Sequence, residues 1–104
     1  MSATVLIVQP DPAQAERLGQ LVLAGTPDAS VMIVGTPQEG LQALAAHTDL
    51  ALFIGEIYYP AGGDGLALLA AVRARFRRAR ILGVTSFNLQ HLPAARPGCT
   101  LFPL

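Results

Sequence analysis

Short apolar segments alternate with amphipathic segments along most of the chain, and this alternation restricts the fold more than any other feature. The apolar segments are too short and too rich in β-branched residues to favour helix, so we predict strands. They are Thr4–Val8, Ser30–Val34, Leu50–Glu56 and Arg80–Thr85. Strands separated by single helices pair in parallel through right-handed crossovers. The sequence therefore predicts one α/β domain spanning residues 1–104.

Capping signals mark the first two helices. Asp11 is a predicted N-cap, Pro12 suits the first helical turn, and a helix follows over Ala13–Ala24. Thr36 and Glu39 have the spacing of a capping box, which predicts a helix continuing through Ala46. In the first of these helices, the apolar side opposite the polar residues carries Leu18, Leu21 and Leu23.

The pattern continues through a third helix and then weakens. The third helix is predicted from Asp64 to about Arg77, and its apolar stripe consists of Leu66, Leu69, Val72 and Phe76. Two prolines within Phe87–Pro97 leave room for only a short or irregular fourth helix. A last brief strand is predicted over Cys99–Phe102.

Composition limits the possible functions. Hydrophobic residues make up 52% of the chain and charged residues 13%, which favours a sheet buried on both faces. The formal net charge is zero, so no overall field attracts nucleic acid or membrane. No apolar run is long enough to span a bilayer and no signal peptide precedes the first strand, so we expect a cytoplasmic protein. Cys99 is the single cysteine, which excludes an intrachain disulfide and a cysteine cluster for zinc.

Residues at the strand ends resemble those of a known family. The relevant segments are Val5–Val8 before an acidic turn, Glu56–Pro60 followed by Gly63-Asp64-Gly65, Val84-Thr85-Ser86, and Leu101-Phe102-Pro103. In order and spacing the chain resembles the receiver domain of two-component response regulators. The resemblance implies a flavodoxin-like, three-layer α/β/α fold with a parallel sheet of order 2-1-3-4-5.

The resemblance also assigns roles to positions, and several of these positions hold altered residues. Receivers use an aspartate as phosphoryl acceptor, an acidic pair for Mg²⁺, a hydroxyl and a lysine. Here Glu56 stands at the acceptor position, and Gln9 and Pro10 stand at the acidic pair, with Asp11 next to them. Thr85 supplies the hydroxyl, and Phe102 stands at the lysine position. The chain contains no lysine. We therefore predict a degenerate, phosphorylation-independent pseudo-receiver that is not an enzyme and needs no cofactor or metal.

The residues leave alternatives open at Glu56. Three interpretations of Glu56 are compatible with the sequence: an inert remnant of the acceptor, a constant charge that imitates the phosphorylated state, and a site of residual phosphate or metal chemistry. The alternative function is an atypical phosphoacceptor receiver in a phosphorelay, using Asp11 and Glu56 to retain Mg²⁺. A third possibility is a sensor that binds a small anion at the strand ends. We also predict a hydrogen bond between Thr85 and Glu56.

Two surface features suggest a protein partner in bacterial signalling. Tyr58 and Tyr59 follow Glu56, where exposed aromatic rings suit protein recognition, although one ring packed over the loop is equally compatible. Five of the seven basic residues lie within Arg73–Arg80, and Arg73 and Arg77 are candidate contacts. A solvated helix end explains the same charges, so direct nucleic-acid binding is not expected.

The family's fifth helix has no counterpart before Leu104, and this absence predicts an uncovered apolar face on the sheet. We expect the fold to be truncated after the fifth strand. A homodimer, a partner or a downstream output segment would then cover the sheet.

Overall fold

Five strands and three helices form the chain in the computed structural model, which describes residues 3–57, 59, 65–85 and 99–103; of Thr85 and residues 99–103 it describes the backbone. The strands are β1 (Thr4–Val8), β2 (Ser30–Val34), β3 (Leu52–Glu56), β4 (Arg80–Thr85) and β5 (Cys99–Pro103). The helices are α1 (Pro12–Gly25), α2 (Pro37–Ala45) and α3 (Gly65–Arg75). None of the described helices has the length and apolar character needed to cross a membrane.

The sheet is parallel throughout and has the order β2-β1-β3-β4-β5. The predicted order 2-1-3-4-5 is therefore confirmed. All strands end at the same edge of the sheet, where parallel α/β folds place their functional residues. The predicted short fourth helix, within Phe87–Pro97, lies outside the described residues.

The core forms two layers, one on each face of the sheet. Side chains of β1 alternate between the layers: Leu6 and Val8 pack on the side of α2 and α3, whereas Val5 and Ile7 pack on the side of α1. Phe53 in β3 is fully buried on the α2 and α3 side. Since both faces are covered by helices, the fold has the predicted three layers.

Helix α1 packs through a different stripe than the leucine positions predict. Leu21 is 64% exposed and Leu23 is 42% exposed. Ala15 and Gly19 are the buried residues of α1, and Leu18 and Val22 are partly buried against the sheet. Small residues let the helix approach the sheet closely, which turns two of the three leucines toward solvent.

Several element boundaries also differ from those predicted. β3 begins at Leu52 rather than Leu50, which is buried just before the strand. α2 ends at Ala45, with Ala46 as its C-cap. α3 ends at Arg75, so the buried Phe76 lies in the turn that follows, although its amide still donates to the Val72 carbonyl.

The predicted capping box at α2 is confirmed. The Glu39 amide donates to Thr36 Oγ1 at 3.1 Å, and the Thr36 hydroxyl donates to Glu39 Oε1 at 3.1 Å. Substituting Thr36→Ala removes an acceptor for one of the unpaired amides at the helix start. We expect a loss of about 1 kcal/mol in the free energy of unfolding, measured by urea denaturation.

Thr48→Ala is the matched control for this prediction. Thr48 is exposed and lies outside the helices and strands, so its replacement should change the free energy of unfolding by less than about 0.5 kcal/mol. Equal effects of the two substitutions would show that the capping box does not stabilise α2.

Candidate functional site

Two buried polar side chains lie side by side at the carboxyl edge of the sheet. Val8 in β1 pairs with Gly55 in β3, so the next residues along, Gln9 and Glu56, lie at one level on neighbouring strands. Gln9 is 3% exposed and Glu56 is 4% exposed. They are the only buried polar or charged residues in the described part of the chain. Burial of such groups is costly unless they are hydrogen-bonded, so their partners determine what the site can do.

The Glu56 carboxylate is held by the backbone that follows it. The Ile57 amide donates to Glu56 Oε2 at 2.9 Å, in a buried contact between adjacent residues. A backbone amide supplies a partial positive charge to the carboxylate without a lysine or a metal ion. Glu56 therefore lies inside the site rather than facing water.

Gln9 and Asp11 form local hydrogen bonds with the start of α1. Gln9 Oε1 accepts from the Asp11 amide at 3.1 Å. Asp11 Oδ1 accepts from the Ala13 amide at 3.0 Å, which confirms its predicted role as N-cap. Gln9 Nε2 is buried and has no hydrogen-bond partner among the described residues. Gln9 Oε1 and Asp11 Oδ1 are thus engaged in local structure, whereas the remaining group at Gln9, Nε2, is a donor. Pro10 offers no side-chain ligand.

Tyr59 is buried, which corrects its place on a predicted interaction surface. It is 7% exposed, and its hydroxyl donates to the Val8 carbonyl at 3.5 Å. The ring packs in the core cluster on the α2 and α3 side. The chain after Glu56 therefore folds back over the end of β1. Tyr58, its predicted companion, lies outside the described residues.

The environment of Tyr59 predicts a loss of stability in alkali. Burial, and secondarily the charge of Glu56, raises the pKa of Tyr59 well above its usual value of 10.0. Above about pH 10 the unfolded chain releases the phenol proton and the native state keeps it, so stability falls as pH rises. We expect a slope approaching about 1.4 kcal/mol per pH unit in urea denaturation series.

Tyr59→Phe provides the control, because it removes the titrating group. The hydrogen bond to Val8 is long, so the substitution should cost less than about 1 kcal/mol at neutral pH. The slope above pH 10 should become shallower in the variant. The chain has no lysine, so no lysine titration overlaps this range. An unchanged slope would contradict the assignment to Tyr59.

The remaining predicted site residues align along the sheet. Glu56 pairs with Val84 in β4, and Val84 pairs with Phe102 in β5, so Glu56 and Phe102 lie in one row across three strands. Thr85 ends β4, one residue beyond that row. The predicted hydrogen bond between Thr85 and Glu56 involves a side chain outside those described and stays a prediction.

The arginine-rich segment lies at the opposite edge of the sheet, where β4 begins. The Arg73 guanidinium donates to the Arg77 carbonyl and, at 2.8 Å, to the Ala79 carbonyl. Arg75 donates to the His47 carbonyl at 2.9 Å. Arg73 thus stabilises the turn between α3 and β4, and its place on an interaction surface stays a prediction. Arg77 is exposed and remains a candidate contact.

Gly65 allows α3 to begin against the end of β3. A Cβ atom on Gly65 would lie 2.5 Å from the Ile57 Cα, 2.6 Å from the Glu56 carbonyl oxygen and 2.8 Å from the Ile57 carbonyl oxygen. Only glycine permits this approach of two backbone segments. The contact fixes the chain immediately after Glu56. The Gly-Asp-Gly sequence was the available signal for it, although the sequence alone does not specify the contacting residues.

Solved structures show which known fold this arrangement shares. A CheY-like response regulator receiver domain from Methylobacillus flagellatus is 20% identical, with a TM-score of 0.78 over 99% of this chain and 86% of that one. The response regulator TrrA from Thermotoga maritima, solved with Mg²⁺-BeF, is 18% identical, with a TM-score of 0.77 over 98% and 85%. The chain has the receiver fold. No protein-family model matches it, and no curated protein matches its sequence.

A further solved structure with the receiver fold comes from Burkholderia pseudomallei and contains a phosphorylated aspartic acid, a calcium ion and citrate. It is 18% identical, with a TM-score of 0.72 over 84% of this chain and 49% of that one. Whether the residues here suit a cation depends on their own chemistry.

The described side chains at this edge offer few oxygen ligands for a magnesium ion. Mg²⁺ requires hard oxygen ligands in near-octahedral geometry. Gln9 Oε1 and Asp11 Oδ1 already accept backbone amides, and the unpartnered group at Gln9 is an N–H donor, which does not coordinate a cation. Within the described ranges, no three His, Cys, Asp or Glu side chains are grouped for a metal ion.

Proposed function

We propose that this chain is a phosphorylation-independent pseudo-receiver, acting as a signalling or protein-interaction module in a bacterial two-component-type pathway. The observation that carries the proposal is the buried Glu56 carboxylate and its bond from the Ile57 amide. A phosphoryl acceptor must present an oxygen in line with an incoming phosphoryl group. Glu56 instead directs one oxygen to its own backbone.

The neighbouring side chains support the same proposal. Phosphoryl transfer depends on positive charges that stabilise the equatorial oxygens of the transferred group. The acidic pair expected to hold a metal is Gln9 and Pro10, and the lysine position is Phe102 in a chain without lysine. Each substitution removes charge, and together they leave a site with the receiver architecture and none of its usual electrostatic catalysis.

The structure also indicates how such a module would remain in one conformation. Tyr59 is packed over the end of β1, and the close approach at Gly65 fixes the segment after Glu56. These two contacts are internal to the chain, so they hold the segment after Glu56 in place without a ligand. The proposed module therefore presents a constant surface to a protein partner, and its signal depends on the presence of the chain or of its partner.

Incubation with Mg²⁺ and acetyl phosphate, followed by intact mass measurement, tests the proposal. We expect no phosphoryl adduct on the wild-type chain, and no protection of the fold by beryllofluoride with Mg²⁺ in thermal unfolding. Glu56→Gln is the matched variant because it keeps the side-chain shape and removes the charge. An adduct on the wild type that is absent from Glu56→Gln would establish the phosphoacceptor alternative and overturn the proposal.

A further inference from the structure

β2 forms one edge of the sheet, and the direction of its hydrogen bonds identifies the groups at that edge. The Ser30 amide donates to the Ala3 carbonyl at 2.8 Å, and the Val34 carbonyl accepts from the Gln9 amide at 2.9 Å. The amide and carbonyl of one strand residue point to the same side, and successive residues alternate. Val31 and Ile33 therefore direct their backbone groups outward, away from β1.

Within the part of the chain that the structure describes, the outer edge of β2 lacks the features that usually prevent strands from pairing. Such edges are protected by charges, prolines, bulges or a covering element. The strand Ser-Val-Met-Ile-Val has no charged residue and no proline, and it pairs with β1 in continuous register. The Ile33 side chain is 47% exposed. The edge therefore offers both backbone groups and apolar surface.

An apolar groove runs beside this edge, between α1 and β2. Its volume is about 530 Å³. Gly19 forms part of its floor, because a Cβ there would lie 3.4 Å from Ile33 Cδ1. The exposed Leu23 contributes to one side. The lining is mostly apolar and consists of Pro12, Ala15, Glu16, Gly19, Gln20, Leu23, Val31 and Ile33.

We propose that a second copy of this chain pairs antiparallel with β2 about a two-fold axis at Met32. The outward residues Val31 and Ile33 lie one position before and one position after Met32. A two-fold axis at Met32 therefore places Val31 of one copy opposite Ile33 of the partner subunit. Val31 exchanges two backbone hydrogen bonds with Ile33 of the partner subunit, and the same pair recurs on the other side of the axis. Met32 lies opposite its own copy in a pair without hydrogen bonds.

Charge favours a second copy as the occupant. In a two-fold interface, residues near the axis meet residues of the same kind, so any charge there is repelled by its own copy. The strand carries no charge, and the whole chain has a formal net charge of zero. An isologous interface is therefore possible at this edge without electrostatic repulsion at its centre.

The molecular surface is large enough for a dimer interface of standard size. A standard interface buries about 800 Å² on each partner, which is about an eighth of the 6212 Å² that this chain exposes. A two-fold axis perpendicular to the sheet places both copies of α1 on the same face, so the two grooves become continuous across the paired strands. The proposal goes beyond the proposed function, because nothing in it depends on the chemistry of Glu56.

Cysteine cross-linking tests the register directly. In a Cys99→Ser background, Met32→Cys places two thiols at the axis, where opposed Cα atoms are about 4.5 Å apart, within the range for a disulfide. We expect mild oxidation to convert most of this variant to a covalent dimer. Ser30→Cys in the same background is the control: its two copies would lie about 13 Å apart, so it should stay monomeric under denaturing conditions.

Sedimentation of the wild type and of Ile33→Pro provides the second test. Proline removes an outward amide and leaves the bonds to β1 intact, so the circular dichroism spectrum should be unchanged. The dimer of the variant should dissociate at concentrations at least tenfold higher than the wild-type dimer does. A monomeric wild type, a dimer unaffected by Ile33→Pro, or cross-linking at position 30 in place of 32 would overturn the proposal. If Ile33→Pro fails to fold, the cross-linking pair decides.

Discussion

Replacing Gly65 with alanine is expected to lower the free energy of unfolding by about 3 kcal/mol or more. The added methyl group would lie 2.5 Å from the Ile57 Cα and 2.6 Å from the Glu56 carbonyl oxygen. Both are backbone atoms, so no side chain can rotate to relieve the contact. The start of α3 would have to move away from the end of β3, which would open the core beneath it. Urea denaturation followed by far-UV circular dichroism measures the loss.

Gly25→Ala is the matched control for this prediction. Gly25 is the last residue of α1, and an added Cβ there would have no heavy atom within 4 Å. Alanine restricts the unfolded chain more than glycine does, so we expect no loss and a gain of up to about 1 kcal/mol. Similar losses at both positions would show that the crowding at Gly65 is not the cause.

Truncation of Phe53 to alanine should have the other large effect, a loss of about 3–5 kcal/mol. The ring is fully buried in the central strand β3, where Phe53 pairs with Leu6 on one side and Ile81 on the other. Its removal leaves a cavity between the sheet and helices α2 and α3, and the sheet, which is fixed by its hydrogen bonds, cannot collapse to fill it. The free energy of unfolding in urea again measures the effect.

A double-mutant cycle with Gly55→Ala sharpens this prediction. An alanine Cβ at position 55 would overlap the Phe53 ring, with the ring's Cζ at 2.8 Å. Gly55→Ala alone should therefore cost about 1–3 kcal/mol, and much less when Phe53 is already alanine. We expect a coupling free energy of at least about 1 kcal/mol. Additive effects would show that the ring has room to move.

The strands and helix starts were predictable because their signals are local. β1, β2 and β4 have the predicted bounds, since short β-branched runs end where polar or turn residues begin. The caps at Asp11 and Thr36 depend on residues two or three positions away. The packing face of α1 was not predictable to the same degree, because Leu21 and Leu23 satisfy the helical pattern and only the tertiary structure shows that Gly19 faces the sheet.

The candidate site was predictable in its position and less so in its contacts. The order of elements places Gln9 and Glu56 at the ends of neighbouring strands, as the structure shows. The bond from Tyr59 to Val8 joins residues 51 positions apart, and no local pattern specifies it. The bond from the Asp11 amide to Gln9 spans only two residues. Many polar side chains next to a helix start have the same spacing and form no such bond, so the sequence alone does not predict it.

The position of β1 within the sheet has a consequence for synthesis of the protein. β1 is made before the other strands of its sheet, and Val5–Val8 are at most 2% exposed in the folded chain. One side of β1 pairs with β2, but its other side pairs with β3, which ends at Glu56. A ribosome therefore has to release the chain as far as Glu56 before β1 has both neighbours, and until then that strand remains an apolar edge available to chaperones or to other nascent chains.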